Sequence, residues 1–433
     1  MIRPKDTRIC IIGAGAAGLS AAYYLQRRGY TSVTVLEAAD RVGGKCHSVD
    51  FKGRSFDLGA NYVTAAYAEV RRLAREFGAD LYTESKTIAA SISDCNRVTF
   101  STPVEAVTRH QSALTLLSAM VRYLWIRFRL QKHLDRPGFA DISRQPQLCV
   151  PFRDWLENNK LTALEPVFEF PITIMGYGYL DTIAAPYALK YMSVPTFWNL
   201  IAVTLGLPRR WPKRFVNGFE RLWTDVAAQL NIRLGARITA VERGEHIRIH
   251  LDNADTMEFD YLVLACPLDA GTLGRFLVLS NEERELFGRI TINPYVVTCY
   301  AMTNLQLPER IVGMWPIPKI GQPWAMTRQY GDNEFVQFYT RLDERNADSK
   351  INVISAIREY VVALGAALPE DYITYNEWDY FPHVSADDIR GGFYDRFEAL
   401  QGEANTFYCG AIAAFELVET VVQYSRQMVE RYF

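Results

Sequence analysis

The chain has 433 residues, of which 49% are hydrophobic and 22% charged, and it carries a formal net charge of -2. This composition is typical of an ordinary globular protein, and the length predicts two or more domains or one domain with large insertions. Because nucleic-acid binding needs a basic surface to displace phosphate counterions, we expect no nucleic-acid partner. The seven cysteines are scattered without a CxxC pair, which argues against a disulfide framework or a thiol redox centre.

The sequence also carries no signal for secretion, membrane insertion or metal binding. Its first residues contain no long apolar segment, and no stretch supplies the ~20 apolar residues that a spanning helix needs, so we expect a cytoplasmic protein. His246 and His250 lie in a segment that alternates like a strand, without further ligands nearby, so we predict no metal site. The sequence does not indicate an oligomeric state.

The first forty residues predict a βαβ unit that binds a dinucleotide. Apolar periodicity indicates a buried strand, a helix and a second buried strand over 8–12, 16–28 and 32–36. Between the first strand and the helix, Gly13 permits a tight turn, Gly15 lets backbone approach a pyrophosphate, and Gly18 lets helix and strand pack closely. Glu37 ends the second strand, where a carboxylate accepts hydrogen bonds from ribose hydroxyls.

A second glycine pair indicates which dinucleotide is bound. Gly43 and Gly44 follow the acidic residue closely and let backbone pass under a second part of a long cofactor. Arg41 and Lys45 add positive charge near the diphosphate. We therefore expect FAD.

The rest of the chain alternates between helical and strand-like segments. Helices are predicted over 68–77, 104–134, much of 151–206, 217–230, 352–366 and 417–432. Strands are predicted over 232–234, 238–243, 246–251, 261–265, 296–302, 325–330, 334–341 and 407–409. The strands after 290 alternate as in an antiparallel sheet, and we interpret the helical stretch from 104 to 207 as an insertion.

Together these motifs resemble the flavin-containing amine oxidase superfamily, whose fingerprint runs from GxGxxG through E…R-x-GG-[RK]. The resemblance continues through DLGANY at 57–62, the strand at 238–241 and FYCG at 407–410. It implies an α/β fold with a Rossmann-like FAD-binding domain of the GR2 type, an antiparallel-sheet substrate domain and a helical insertion. The corresponding ranges are 1–80, 210–275 and 395–433 for the FAD-binding domain, 81–103 and 276–394 for the substrate-binding sheet domain, and 104–209 for the insertion.

The resemblance also implies which residues contact FAD. They are Gly13, Gly15, Ala17, Gly18, Glu37, Ala38, Arg41, Gly43, Gly44, Lys45, Gly59, Ala60, Asn61, Tyr62, Ile238, Gly410, Thr420 and Val421. Relatives usually follow the late glycine with an acidic residue that bonds the ribityl chain, whereas Ala411 stands here, so Glu416 or Glu419 could substitute. The closing helix, which we place near Glu419, would aim its free N–H groups at the flavin.

Within the superfamily, several strings are most similar to the bacterial polyenoic fatty acid isomerases: GGKCHS at 43–48, GYGY at 176–179, YALKY at 187–191 and WDYFPHVS at 378–385. In that family the flavin takes a hydride from an allylic carbon and returns it at another. We therefore expect an FAD-dependent double-bond isomerase of a polyunsaturated fatty acid or lipid-like polyene. The alternative is an amine oxidase, or an oxidase or desaturase of a hydrophobic substrate, that passes electrons to oxygen.

Aromatic side chains supply the candidate pocket walls, because their faces could stabilise an allylic cation. The candidates are Tyr177, Tyr179, Tyr187, Tyr191, Trp378, Tyr380, Phe381 and His383. No acid–base catalyst is predicted, since hydride transfer depends on orientation of the substrate over the flavin. We cannot assign an arginine in 86–97 as the anchor of a fatty carboxylate, so the substrate could be a different unsaturated molecule.

The segment at 121–136, VRYLWIRFRLQKHLDR, is both basic and aromatic. It could make transient contact with a membrane surface and draw lipid from it. The sequence favours a simpler interpretation, a helix with its arginines solvated and with Trp125 and Phe128 packed inward.

Overall fold

The computed structural model describes residues 3–83, 88–94, 97–101, 105, 111–204, 212–305, 311–315, 317–330 and 334–433. Its strands are β1 (Ile9–Ile12), β2 (Val33–Leu36), β3 (Ser48–Phe51), β4 (Arg54–Asp57), β5 (Leu81–Thr83), β6 (Ile88–Asp94), β7 (Arg97–Ser101), β8 (Lys213–Phe215), β9 (Ile232–Arg233), β10 (Ile238–Arg243), β11 (Ile247–Leu251), β12 (Thr256–Phe259), β13 (Tyr261–Leu264), β14 (Thr291–Ala301), β15 (Ile311–Trp315), β16 (Pro323–Thr327), β17 (Phe335–Arg341), β18 (Thr374–His383) and β19 (Thr406–Tyr408).

The helices lie between these strands and over the middle of the chain. They are α1 (Ala16–Arg27), α2 (Ala68–Glu76), α3 (Ala113–Leu134), α4 (Phe152–Asn158), α5 (Glu165–Ile174), α6 (Ala185–Tyr191), α7 (Val194–Thr204), α8 (Phe219–Ala227), α9 (Ala270–Leu273), α10 (Asn281–Phe287), α11 (Ser349–Ala363), α12 (Ala386–Arg390), α13 (Phe393–Ala399), α14 (Ala411–Ala414) and α15 (Val418–Tyr432). Among the residues described between 111 and 204, the regular elements are helical.

A five-stranded parallel sheet holds the predicted dinucleotide unit, in the order β19-β13-β1-β2-β9. All four residues of β1 are buried, as expected for a central parallel strand that is covered on both faces. Helices α1 and α15 pack against each other beside this sheet. The carboxyl end of β1, where ligands bind in open parallel sheets, leads directly into the first glycine loop.

A seven-stranded sheet forms the second large layer, in the order β18-β14-β17-β16-β15-β6-β7. Its neighbouring strands are antiparallel except for the parallel pair β15–β6. Successive side chains alternate between its faces: Val296, Met326 and Phe338 belong to a core cluster that also contains Ile357 of α11, and Val297 belongs to a cluster on the other face. The predicted fold class is thus confirmed, while the domain boundaries stay a prediction.

Several strands were not predicted from the sequence: β3, β4, β12, β15, β18 and the pairs β5–β8 and β6–β7. The clearest case is β18, an edge strand that pairs with β14 alone. It contains Glu377, Asp379 and Pro382, residue types that are uncommon in strands and are tolerated at a sheet edge. Its position in the sheet therefore depends on tertiary pairing that local propensity does not indicate.

Helix α3 differs from its prediction in two ways. It begins at Ala113, where the Ser112 hydroxyl accepts a hydrogen bond from the backbone N–H of Thr115, and most of the predicted start at 104–110 lies outside the described residues. The prediction that Trp125 and Phe128 pack inward is wrong, since they are 57% and 64% exposed. Among the described residues, no helix combines the length and the apolar character needed to cross a bilayer.

Candidate functional site

The first glycine loop is built from backbone packed against backbone. Gly13 has a φ of +106°, and a Cβ there would stand 2.9 Å from the carbonyl oxygen of Ala265. A Cβ at Gly18 would lie 1.9 Å from the Gly13 carbonyl oxygen. Both positions therefore require glycine to form the turn and to pack α1 on β1, and Gly18 is not part of the cavity surface.

The second glycine loop lies directly against the first. The backbone N–H of Gly43 donates to the Ala14 carbonyl at 2.8 Å, and a Cβ at Gly44 would lie 3.0 Å from Cα of Gly15. Gly15 precedes α1, whose first N–H groups have no partner within the helix, and Gly15, Ala16 and Ala17 all line the cavity. The two loops thus leave a backbone-lined slot suited to a pyrophosphate.

Glu37 is held in place at the carboxyl end of β2. Its Oε2 accepts a hydrogen bond from the Ala14 N–H at 2.7 Å, and its Oε1 accepts one from the Ala39 N–H at 2.9 Å. A carboxylate can accept about four hydrogen bonds, so lone pairs remain for ribose hydroxyls. This geometry is compatible with the role predicted from the sequence.

One continuous cavity of about 1080 Å³ begins at these loops and extends to the seven-stranded sheet. Its lining includes the predicted FAD contacts Gly13, Gly15, Ala17, Glu37, Ala38, Arg41, Gly43, Gly44, Lys45, Gly59, Ala60, Asn61, Tyr62, Ile238, Gly410 and Val421. Thr420 lies outside the lining, and its hydroxyl is 2.9 Å from the carbonyl oxygens of both Phe415 and Leu417, either of which can accept its proton. The structure therefore gathers segments that are far apart in sequence, and their contacts with FAD remain a prediction.

The carboxyl-terminal segment leaves an open space beside its backbone in this cavity. Gly410 has a φ of +126°, and no heavy atom lies within 4 Å of the position that a Cβ would occupy. The short helix α14 begins at the next residue, and α15 begins at Val418. A side chain at position 410 would fill space that a flat ligand ring can occupy.

The two acidic residues proposed to replace the one missing at Ala411 have different surroundings. Glu416 lines the cavity, where its Oε2 accepts from Lys45 Nζ at 2.8 Å and from the Phe381 N–H at 3.1 Å. Glu419 instead accepts hydrogen bonds from the first N–H groups of α2, and burial raises its carboxyl pKa. Glu416 is therefore the acidic candidate for contact with a cofactor.

We expect Glu416→Gln to weaken FAD binding about tenfold, because a hydrogen bond made by a charged group contributes roughly 1.5–3 kcal/mol. Fluorescence titration of the deflavinated protein with FAD measures this change. Glu419→Gln is the matched control, which should lower the free energy of unfolding without changing FAD affinity. Normal FAD affinity in Glu416→Gln combined with a loss in Glu419→Gln would contradict the assignment.

The predicted aromatic residues divide into two groups. Tyr177, Tyr191, Trp378 and Tyr380 line the cavity, and the ring of Tyr177 lies 5.8 Å from that of Tyr380 and 5.0 Å from that of Tyr191. The other candidates, Tyr179, Tyr187, Phe381 and His383, lie outside its lining.

Members of the second group make contacts behind the cavity wall. The Tyr187 hydroxyl pairs with that of Tyr394, and the Tyr179 hydroxyl donates to the Pro318 carbonyl. His383 stacks on Phe381 with 4.6 Å between ring centroids, and burial lowers its pKa to about 4. A neutral, stacked histidine in this position supports the wall rather than the reacting space.

The inner wall contains residues that the sequence analysis did not select. Val297, Tyr339 and Ala325 are directly paired across β14, β17 and β16, so they form one patch of the cavity surface. Helices α5 and α7 close the other side with Phe170, Ile174, Thr196, Asn199 and Leu200. The alternating pattern predicted that every second side chain of a strand would lie on the same face of the sheet. Because both faces carry mostly apolar side chains, the pattern could not indicate which face meets the cavity.

The inner cavity is uncharged. Burial raises the pKa values of Tyr177, Tyr295 and Tyr380 well above their usual range, so these hydroxyls stay protonated. Glu377 and Asp379 of β18 also border the cavity, but their carboxylates pair with Arg345. The other charged side chains of the described lining are Glu37, Arg41, Lys45, Arg237, Asp269, Arg275 and Glu416, none of which belongs to the seven-stranded sheet or to helices α5 and α7.

Comparison with known proteins identifies similar chains. Residues 16–273 match the family described as flavin containing amine oxidoreductase. The FAD-dependent oxidoreductase dpchF of Colletotrichum higginsianum is 25% identical over 94% of this chain and 89% of its own length. A polyenoic fatty acid isomerase of Ptilota filicina is 27% identical over 45% of this chain and 42% of its own. The crystal structure of a CLA-producing fatty acid isomerase from P. acnes superposes with a TM-score of 0.86 at 25% identity, covering 100% of both chains.

Proposed function

This chain belongs to the flavin-containing amine oxidoreductase family and is an FAD-dependent enzyme, and we propose that it moves double bonds within a polyunsaturated fatty acid or lipid-like polyene. The observation that carries the proposal is the uncharged, apolar inner cavity that continues from the glycine loops to the seven-stranded sheet. The likeness to the fatty acid isomerase of P. acnes over the whole chain supports the same reaction class.

The residues of the cavity fit FAD. The slot between Gly15 and Gly44 would hold the pyrophosphate, and Glu37 would bind the ribose. The open space beside Gly410 would hold the flavin ring. When bound, the flavin supplies a hydride acceptor that can also return the hydride. The protein's own contribution is to orient an extended chain across that ring and to keep water away from it.

The aromatic wall can stabilise positive charge along an unsaturated chain. The hydroxyl of Tyr295 donates to the Ile174 carbonyl at 2.6 Å, and that of Tyr177 donates to the Glu416 carbonyl at 3.1 Å. With these hydroxyls occupied by backbone, the rings contribute apolar surface and the negative charge of their faces. Such a wall can stabilise a cation that forms along the chain without a proton donor or acceptor.

Asn199 offers a polar contact within this apolar space. It is 6% exposed and lines the cavity, and neither its Oδ1 nor its Nδ2 has a hydrogen-bond partner. Leaving a buried polar group unpaired costs roughly 1–3 kcal/mol. A substrate whose polar end bonds this amide removes that cost, so we assign Asn199 to positioning the polar end of the chain.

The cavity is less suited to an amine than to a lipid. An amine substrate arrives mostly as an ammonium ion, which needs a carboxylate when it leaves water. The acidic side chains beside the aromatic wall are already paired, Glu416 with Lys45 and both Glu377 and Asp379 with Arg345. Charge thus favours a substrate whose reacting carbons are uncharged over the ammonium ion of the amine-oxidase alternative.

An anaerobic assay tests the proposal. The purified holoenzyme is mixed with linoleic acid and with longer methylene-interrupted polyenes, and the ultraviolet absorbance of conjugated products is followed. We expect conjugation to accumulate over many turnovers without oxygen, because the hydride that leaves one carbon returns to another. The yellow absorbance of the holoenzyme should persist in the steady state.

Two further results complete this test. Asn199→Leu should raise KM for the polyenoic acid while kcat changes little, since the amide acts in positioning. If the yellow colour is instead lost after one equivalent of substrate and returns only when air is admitted, the enzyme is an oxidase and the isomerase proposal is wrong.

A further inference from the structure

Helix α3 carries an apolar surface that no other described part of the protein covers. Five large side chains, 57–80% exposed, form this surface, which we call the α3 stripe: Leu114, Leu117, Val121, Trp125 and Phe128. Their spacing of three and four residues places them within a sector of ~80° on one side of the helix. The opposite side, with Leu116, Tyr123 and Leu134, is buried in the protein. The stripe therefore makes no contribution to the core.

The charged residues of helix α3 are all positive. From Ala113 to Leu134 the helix contains no Asp or Glu. Arg122, Arg129 and Lys132 are exposed, and the Arg129 guanidinium lies 4.6 Å from the Trp125 ring. An apolar face with tryptophan and flanking basic residues matches an anionic bilayer surface, which accepts apolar side chains below its headgroups and attracts cations at them.

The stripe is also close to the cavity. Helix α7 packs on α3, and its Trp198 is 50% exposed. Thr196, Asn199 and Leu200 of the same helix line the cavity. One helix thus separates the apolar surface from the space that receives the substrate.

We propose that the α3 stripe docks on the surface of an anionic lipid bilayer, with α3 lying along the interface and Trp125 and Phe128 inserted below the headgroups. Docking there would bring α7, and the cavity behind it, to the source of a lipid-like substrate. The proposal concerns the surface alone and does not depend on which reaction the enzyme performs.

Co-sedimentation of the holoenzyme with vesicles tests this surface. We expect binding to vesicles of phosphatidylcholine with phosphatidylglycerol, and much weaker binding to phosphatidylcholine alone. Trp125→Gln/Phe128→Gln should reduce partitioning about tenfold, because it removes two large inserted side chains. Arg122→Gln/Arg129→Gln should reduce binding to the anionic vesicles and leave binding to the neutral ones unchanged.

Val278→Gln/Ile351→Gln is the matched control, since these side chains are 83% and 69% exposed on other parts of the surface. This control should bind vesicles as the native protein does. Absence of native binding, or equal binding by Trp125→Gln/Phe128→Gln, overturns the proposal. Light scattering provides a further outcome: if that variant instead converts a native dimer to monomers, the stripe is an interface between two copies of the chain.

Discussion

Gly15→Val is expected to abolish FAD binding while the protein stays folded. A valine at this position would occupy the slot between the glycine loops, where we expect the first N–H groups of α1 to bind the pyrophosphate. Losing two hydrogen bonds to a charged phosphate, at roughly 1.5–3 kcal/mol each, corresponds to a loss of affinity of about 100-fold or more.

The fold should tolerate this change because Gly15 is not strained. Its φ is -76°, and its Cβ would lie 3.8 Å from Cα of Gly44, an ordinary contact. Gly13 differs in both respects, with a positive φ and a Cβ that would collide with backbone, whereas Gly18 differs only in the collision of its Cβ with backbone. Gly18→Ala should therefore lower the yield of folded protein, whereas Gly15→Val should affect chiefly the cofactor.

Three measurements check this result: the colour of the purified variant, fluorescence titration with FAD, and the thermal unfolding of the apoprotein followed by circular dichroism. Gly244→Val is the control, because Gly244 has no positive φ and its Cβ would lie 3.9 Å from the nearest atom. This control should purify yellow. A yellow Gly15→Val protein with native affinity for FAD would show that the slot is not where the cofactor binds.

The cofactor end of the site could be predicted because its motifs are local. The two glycine loops and Glu37 lie within about thirty residues, where one βαβ unit constrains their geometry. The family, the fold class and FAD, all predicted from these motifs and their continuation, are confirmed. That each of these residues contacts FAD stays a prediction, which the variants at Gly15 and Glu416 test.

The substrate end could not be predicted in the same way because it is assembled by tertiary pairing. Val297, Ala325 and Tyr339 meet only because β14, β16 and β17 adopt one register. A shift of one residue would turn each strand's other face to the cavity. Side chains on both faces of these strands are buried and mostly apolar, so the sequence pattern does not distinguish the two registers.

Helix α3 shows a related limit of sequence patterns. Apolar residues lie all around this helix, so periodicity could not indicate which side would be buried. The structure buries the side that contains Arg127, whose guanidinium reaches the Leu189 carbonyl and the Asp135 carboxylate. Trp125 and Phe128 are exposed as a consequence, which is the reverse of the prediction.

Asp57 connects the stability of the fold to the shape of the cofactor site. It is fully buried at the end of β4, immediately before the loop that lines the cavity at 58–62. Its Oδ1 accepts hydrogen bonds from the Ser48 hydroxyl at 2.7 Å and from the Phe219 N–H at 2.8 Å, the latter at the start of α8. Burial is the main cause that raises its pKa to about 6, and its Oδ2 has no hydrogen-bond partner.

We expect Asp57→Ala to lower the free energy of unfolding by about 2–4 kcal/mol at pH 5, because it leaves a buried N–H and a partly buried hydroxyl without their acceptor. Asp57→Asn should cost less, since its amide oxygen can replace Oδ1. Urea unfolding of the apoproteins, followed by circular dichroism, gives these free energies. An alanine variant as stable as the native protein at pH 5 would contradict the capping role.

The pH dependence separates the charge of Asp57 from its hydrogen bonds. The folded pKa of about 6 lies above the unfolded value of 3.8, so the contribution of this carboxyl to stability is complete below 3.8 and is lost as the pH rises through 6. The native protein should therefore lose stability in this window relative to Asp57→Asn, which cannot ionise. We expect the free energy of unfolding of Asp57→Asn to fall short of the native value by less at pH 8 than at pH 5, because ionised Asp57 has one buried charge that asparagine lacks. If this difference in the free energy of unfolding is the same at both pH values, Asp57 ionises in the folded protein as readily as in the unfolded chain.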